Sequence, residues 1–142
     1  MKSTVEIDIN APREKVAALH ADPLNNTKWM LDLERYEPTS GNQGMPGSTY
    51  RLVPKSGDMI FDVTVIKRDL PNELELKMKA PDVDVAVHAK LIALSPTTTK
   101  LISEEEFIFN GKTAAPDITV EQAIKSAHRQ HMTDFKDFAE SN

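Results

Sequence analysis

Alternation of apolar and polar residues opens the chain. Val5, Ile7 and Ile9 interleave with Thr4, Glu6 and Asp8, a period of two that puts one face of a strand in a core and the other in water. Asn10-Ala11-Pro12 ends the strand and predicts a helix start. Asparagine suits an N-cap, and proline lacks only an N–H that the first helical turn would leave unpaired. Val16 and Leu19, flanked by Ala17 and Ala18, give this helix an apolar side, and Pro23 stops it. A second short helix is expected from Leu24 to about Leu33, carrying Trp29 and Met30.

Gly41, Gly44, Pro46 and Gly47 then break the chain into turns, and from Ser48 it reads as strands joined by hairpins. Met59, Phe61, Val63 and Val65 form one alternating face; Leu74, Leu76 and Met78 form the next. Val83, Val85, Val87, Ala89 and Leu91 make a long strand whose phase becomes ambiguous at Ile92 and Leu94, and Lys100 to about Asn110 is the last strand. Proline-containing turns separate them at Leu70-Pro71-Asn72, Ala80-Pro81-Asp82 and Ser95-Pro96-Thr97. Such short links favour antiparallel pairing. Gly111 to Asp117 is expected to be a loop. Thr119 with Gln122 has capping-box form and predicts a helix running to about Glu140. Val120, Ile124, Ala127, His131, Phe135 and Phe138 cluster on one side of it, opposite Lys125, Arg129, Lys136 and Glu140. The expected class is α+β: strand, two short helices, about six strands and one long terminal helix. A twisted antiparallel sheet covered by one helix leaves room for a cavity between them.

Composition narrows the function classes. The chain has 142 residues and is read as one domain, 1–142. It has no cysteine, which removes disulfides, thiol catalysis and thiolate metal sites. The net charge is −5 with no basic run, so nucleic acid is not an expected partner. No apolar run approaches a membrane span, and the first residues lack the charged-then-apolar order of a secretory leader; cytoplasmic location is the expectation. Phosphate loops, His-Glu-x-x-His and nucleophile elbows are absent from the sequence, and no cofactor or metal is expected.

Four segments carry a resemblance. Val5-Glu6-Ile7-Asp8-Ile9-Asn10-Ala11-Pro12-Arg13-Glu14-Lys15-Val16 resembles the opening of the START-like, or SRPBCC, superfamily: a strand, alanine-proline, then a helix with valine on its buried side. Asp22-Pro23 followed by Trp29 is similar to the family's second-helix segment, and Met45-Pro46-Gly47-Ser48-Thr49-Tyr50-Arg51 to its glycine entry into the next strand. Met132-Thr133-Asp134-Phe135-Lys136-Asp137-Phe138-Ala139-Glu140 resembles the usual end of the terminal helix. The likeness spans nearly the whole chain and leans toward the polyketide cyclase/dehydrase-like branch. It implies a helix-grip fold, a curved seven-stranded antiparallel sheet gripping the terminal helix around an apolar cavity. Members bind lipids, sterols, polyketides or plant hormones, and some cyclise aromatic intermediates. It brings no catalytic motif with it, and a fold does not settle a function.

In that arrangement Trp29, Ser103, Phe107, Ile124, Ala127 and Phe135 are expected at the cavity, with Arg51. His128 and His131 lie within the apolar arc of the terminal helix. Either can bind a ligand carbonyl or move a proton near neutral pH, or simply be hydrogen-bonded at the edge of the core. Their i, i+3 spacing also suits a metal, but no third ligand is defined. Glu104, Glu105 and Glu106 interrupt the last strand. If Leu101, Phe107 and Phe109 face inward, Ser103 and Glu105 go with them; if Ile102 and Ile108 do, Glu104 and Glu106 follow. The first phase is favoured because it buries both aromatics and one carboxylate rather than two. A buried Glu105 must find a cation or hold its proton. Arg51 shares a set with Thr49 and Val53, and projects inward toward Glu105 or a ligand carboxylate, or is solvated. Trp29 is either a clamp between the short helices and the sheet or a residue at the cavity entrance. Asp62, Thr64 and His88 are expected outside, and His20 as a charge partner for its helix's C-terminus.

Three functions fit this reading. The first is binding of a small, largely hydrophobic molecule. The second is a cyclase or dehydratase in which His131, His128 or Glu105 moves protons. The third is an interaction module like the superfamily's chaperone activators, using the outer sheet face. An exposed edge strand also offers a route to a homodimer.

Overall fold

Seven strands turn alternate residues to one side, and the register between them assembles these into apolar rows. The computed structural model describes residues 1–110 and 116–142, so most of the loop expected over Gly111–Asp117 lies outside the described residues. The elements are β1 (Lys2–Ile9), α1 (Arg13–Ala21), a single 3₁₀ turn (Pro23–Asn25), α2 (Asn26–Trp29), β2 (Leu33–Ser40), β3 (Thr49–Pro54), β4 (Phe61–Asp69), β5 (Glu73–Ala80), β6 (Val83–Ser95), β7 (Thr98–Phe109) and α3 (Ile118–Glu140). The strands form one antiparallel sheet in the order β1-β7-β6-β5-β4-β3-β2. Chain-sequential neighbours pair by hairpin from β2 to β7, and β1 adds to the free side of β7. One row across the inner face reads Val65, Leu76, Val87, Glu105, Ser3; the next reads Leu74, Ala89, Ser103, Val5. The expected phase of the last strand is therefore the observed one.

β2 was not visible in the hydrophobic pattern. Its sequence, Leu-Glu-Arg-Tyr-Glu-Pro-Thr-Ser, lacks strict alternation and contains Pro38. An edge strand tolerates both, because one side of its backbone needs no partner. Leu33 belongs to this strand, so the second helix is shorter than expected: it ends at Trp29, preceded by the 3₁₀ turn. Asp22 accepts the Leu24 N–H at 3.0 Å to start that turn. Met59 is not part of β4 either, for it is exposed and has φ +51°. At Gly41, φ is +80° and an added Cβ would lie 2.9 Å from the Ser48 backbone, so the turn between β2 and β3 needs glycine there.

Both expected caps are corrected. Asn10 makes no side-chain cap; Pro12 precedes α1, and the Asn10 N–H instead donates to Glu140 Oε2 at 2.8 Å. At α3 the cap is Asp117, which accepts the Val120 N–H at 3.0 Å, rather than Thr119. The buried stripe of α3 is also displaced by one position, to His128, Met132, Phe135 and Ala139. Lys136 Nζ donates to the Asp8 carbonyl at 2.8 Å, tying the C-terminal turns to β1. No helix among the described residues is long and apolar enough to cross a membrane.

Phe135 is the knot of the core. Its ring meets Trp29 edge-on at 5.2 Å and His20 at 4.9 Å, joining α3, α2 and α1. Phe135→Ala is expected to cost about 3–5 kcal/mol in urea-unfolding free energy. A loss below about 1 kcal/mol would show that the three helices are held by something else.

Candidate functional site

The inner face and the N-terminal half of α3 enclose a cavity of about 370 Å³. Leu52, Phe61, Met78 and Phe107 form its sheet wall, and Ile124 and Ala127 its helix wall. Ala127 is short, so the helix does not fill the space beneath it. The exposed Asp32 and Asp58 stand at the rim. A second chamber of about 60 Å³ lies beside it among core residues, with His20, Trp29, Tyr50 and Ser103 in its lining. Met30, Leu52, Met78 and Glu105 border both.

Glu105 therefore sits between the chambers, in a row with Val65, Leu76 and Val87 on one side and Ser3 on the other. Burial pushes its carboxyl up to about 7, because the charged form loses more hydration than the neutral one. Its nearest titratable neighbour is His128, whose Nδ1 is 3.7 Å from Glu105 Oε1. His128 is wholly buried and held at both ring nitrogens: Nδ1 is 2.8 Å from Ser3 Oγ and Nε2 is 2.9 Å from Ser103 Oγ. A neutral imidazole has one donor and one acceptor, so one serine donates to the ring and the other accepts from it. Burial, reinforced by His131 and Arg129, pushes His128 down to about 4. A clamped, neutral histidine and a carboxyl that titrates near neutrality are thus adjacent.

Other candidate residues fall as follows. Ser103, Phe107, Ile124, Ala127 and Trp29 line the two chambers. Phe135 does not; it is fully buried behind Trp29. His131, expected near the middle of the apolar arc, is half-buried at the edge of the outer chamber, with Nε2 3.2 Å from Asp32 Oδ1. The middle of the stripe belongs to His128. Arg51 points to the outer face and donates from Nε to Asp62 Oδ1 at 3.1 Å. Inward projection is overturned because Tyr50 and Leu52 take the inner side, and solvating a guanidinium costs less than burying it.

His20 is the residue the sequence reading placed wrongly. It stacks on Trp29 at 5.9 Å instead of serving as a charged helix terminus, and burial pushes it down to about 4. Its Nδ1 and the Trp29 Nε1 are buried without a hydrogen-bond partner. Only the proximity of His20 to Trp29 along the chain hinted at this. On the outer face, Glu73, Glu75 and His88 bring one ligand atom each within 4.8 Å of one another. Glu73 is already bonded there to Lys67 and, at 2.8 Å, to His88 Nε2, so the cluster is an ion-pair network.

The raised Glu105 carboxyl has a defined stability consequence. The folded state holds its proton more tightly than the unfolded chain, so Glu105 destabilises progressively as pH rises from about 4.5 to about 7. His20 and His128 act oppositely, removing stability as pH falls from about 6.5 to about 4. Comparing Glu105→Gln with the parent cancels the histidines. The variant is expected to gain stability relative to the parent between pH 4.5 and 8, by at most about 3 kcal/mol at about 1.4 kcal/mol per pH unit. A flat difference in urea unfolding across that window would mean that Glu105 is hydrated.

No protein-family model matches the chain, and no curated protein does either. Solved structures match it over nearly their whole length. A START superfamily protein from Mycobacterium smegmatis is 14% identical with a TM-score of 0.84, covering 99% of this chain and 97% of that one. The Zhui aromatase/cyclase from Streptomyces sp. R1128 is 18% identical with a TM-score of 0.77, over 99% and 93% of the two chains. Norcoclaurine synthase from Thalictrum flavum, solved with dopamine and hydroxybenzaldehyde, is 9% identical with a TM-score of 0.74, over 100% and 87%. Together with the seven-stranded antiparallel sheet and the long C-terminal helix, these likenesses show that the chain has the helix-grip fold of START superfamily proteins.

Proposed function

We propose that this protein binds a small, largely hydrophobic molecule between the sheet and α3. The observation that carries the reading is the 370 Å³ cavity walled by Leu52, Phe61, Met78, Phe107, Ile124 and Ala127. Pockets of this size with apolar walls and a few convergent polar groups are characteristic of ligand sites. Burial of a ligand there removes apolar surface from water on both partners, at about 25 cal/mol per Å². The likeness to an aromatase/cyclase, and to norcoclaurine synthase solved with dopamine and hydroxybenzaldehyde, supports the same class of compound.

A second reading is favoured by one observation, the carboxyl group that titrates near 7 inside the cavity. Such a group is suited to general acid–base work on a bound ring or enolisable chain, where a pKa near ambient pH is optimal. Glu105 is then the catalytic residue and His128 a positioning residue that packs against it. His131 stands at the rim, bonded to Asp32.

Native mass spectrometry of freshly purified protein, followed by solvent extraction against an empty-host control, tests the binding reading. A stoichiometric lipophilic compound is expected, absent from Ala127→Trp with its circular dichroism unchanged. No bound compound, and no thermal shift across a lipid, sterol and aromatic polyketide panel, would reject the pocket; a ligand at a hundredfold excess over Kd should add about 2.7 kcal/mol. Should a turnover substrate be found, Glu105→Gln is expected to lower kcat by about 10²–10⁴-fold with little change in affinity. Full turnover in that variant would remove Glu105 from the chemistry.

A further inference from the structure

The cavity is polarised in a way that its apolar walls do not require. At its inner end, two ring nitrogens, His20 Nδ1 and Trp29 Nε1, are buried with no hydrogen-bond partner among the described residues. Both residues line the 60 Å³ chamber together with Glu105 and Ser103. A buried polar group left unpaired costs about 1–3 kcal/mol, and two of them in one small chamber mark a place where something hydrogen-bonds. Resting on the binding reading above, we infer that the inner chamber receives the polar end of the ligand, and that this end is an uncharged hydrogen-bond acceptor, a hydroxyl or carbonyl group on an otherwise apolar body.

Three observations exclude the other chemistries. An indole N–H only donates, so the group opposite Trp29 must offer a lone pair; an ammonium has none. A carboxylate or phosphate has lone pairs but needs a cation. Among the described residues lining either chamber there is no lysine and no arginine, whereas Asp32, Asp58 and Glu105 all contribute carboxyl groups. The one histidine at the inner end is neutral at physiological pH, because burial pushes it down to about 4. An anionic head would thus be desolvated beside acids with no compensating charge. His20 Nδ1 serves either as donor or as acceptor according to its tautomer, and a protonated Glu105 can donate. That set suits a hydroxyl, which both gives and takes, and a carbonyl, which takes from Trp29 and Glu105. Fatty acids, phospholipids and acyl phosphates are disfavoured as ligands by the same argument.

Four probes on one ring system separate these chemistries: 2-naphthol, naphthalene, 2-naphthoate and 2-naphthylmethylamine, titrated calorimetrically into the full chain at pH 7. 2-Naphthol is expected to bind at least about tenfold more tightly than the other three, since a site built to bond a hydroxyl discriminates strongly against analogues that lack it. Each of two variants keeps an aromatic ring: His20→Phe removes both imidazole nitrogens and Trp29→Phe the indole nitrogen. Each is expected to cut the preference for 2-naphthol over naphthalene at least about threefold, read as the ratio of the two affinities so that any change in apolar packing cancels. Naphthoate, amine or naphthalene binding as tightly as 2-naphthol in the parent overturns the inference while leaving the pocket standing. So does a preference that survives both substitutions. Absence of binding by all four overturns the pocket itself, and the polarity inference with it.

Discussion

Everything at this site depends on where α3 is fastened. The helix is fixed over its C-terminal half: Phe135 and Ala139 are fully buried, Lys136 bonds the Asp8 carbonyl and Glu140 accepts from the Asn10 backbone. One further tie, His128 between Ser3 and Ser103, holds the midpoint over β1 and β7. Beyond that tie the helix presents Ile124 and Ala127, and Val120 is exposed. A rigid helix anchored along one half and lacking bulky side chains on the other stands clear of a strongly twisted sheet. The cavity is the space left by that geometry, so its walls are set by the same contacts that stabilise the fold.

The anchor at His128 also decides the electrostatics. A histidine bonded to two hydroxyl groups and stripped of water is held neutral, and so cannot serve as the counter-cation that Glu105 would need to ionise readily. Of the two groups, the proton resides more comfortably on Glu105 than on His128, opposite to their order in water. Near neutral pH the group of this pair able to exchange a proton is therefore Glu105, which lines both chambers, while His128 is bonded at both nitrogens. Arg51 supplies no charge here, for it is paired with Asp62 on the outer face.

Much of this was legible in the chain. Strict alternation in β1, β5 and β6 gave their faces directly, and counting buried aromatics against buried carboxylates placed Glu105 inward on β7. What escaped has a common cause: tertiary position overrode a local signal. β2 has too little alternation because an edge strand is under weak constraint. Arg51 was assigned by parity alone, and parity says which residues share a face without saying which face is buried. The stripe on α3 was centred near His131, and its centre moves toward His128 because that ring, already within the expected arc, is fully buried between two serines that lie 125 and 25 residues away in the chain. His20 was read from its place at a helix end, where a charge is ordinarily welcome; the aromatic rings of Trp29 and Phe135 close over it and remove the water that would sustain that charge.

The contrast between His128 and His20 is what makes the cavity directional. His128 has both nitrogens bonded within the protein, so it contributes structure and no free bonding capacity. His20 has a buried nitrogen that nothing in the chain bonds, beside an indole N–H in the same condition. Packing at protein densities leaves few such groups in place unless their position serves a fold or a ligand. For His20 the fold requires only the ring, which already fills its place against Trp29 and Phe135. The nitrogen goes beyond what packing needs. It belongs to the smaller chamber, which neither Asp32 nor Asp58 lines, so bonding capacity for a neutral polar group sits in one chamber while the carboxylates at the rim of the other repel an anionic one.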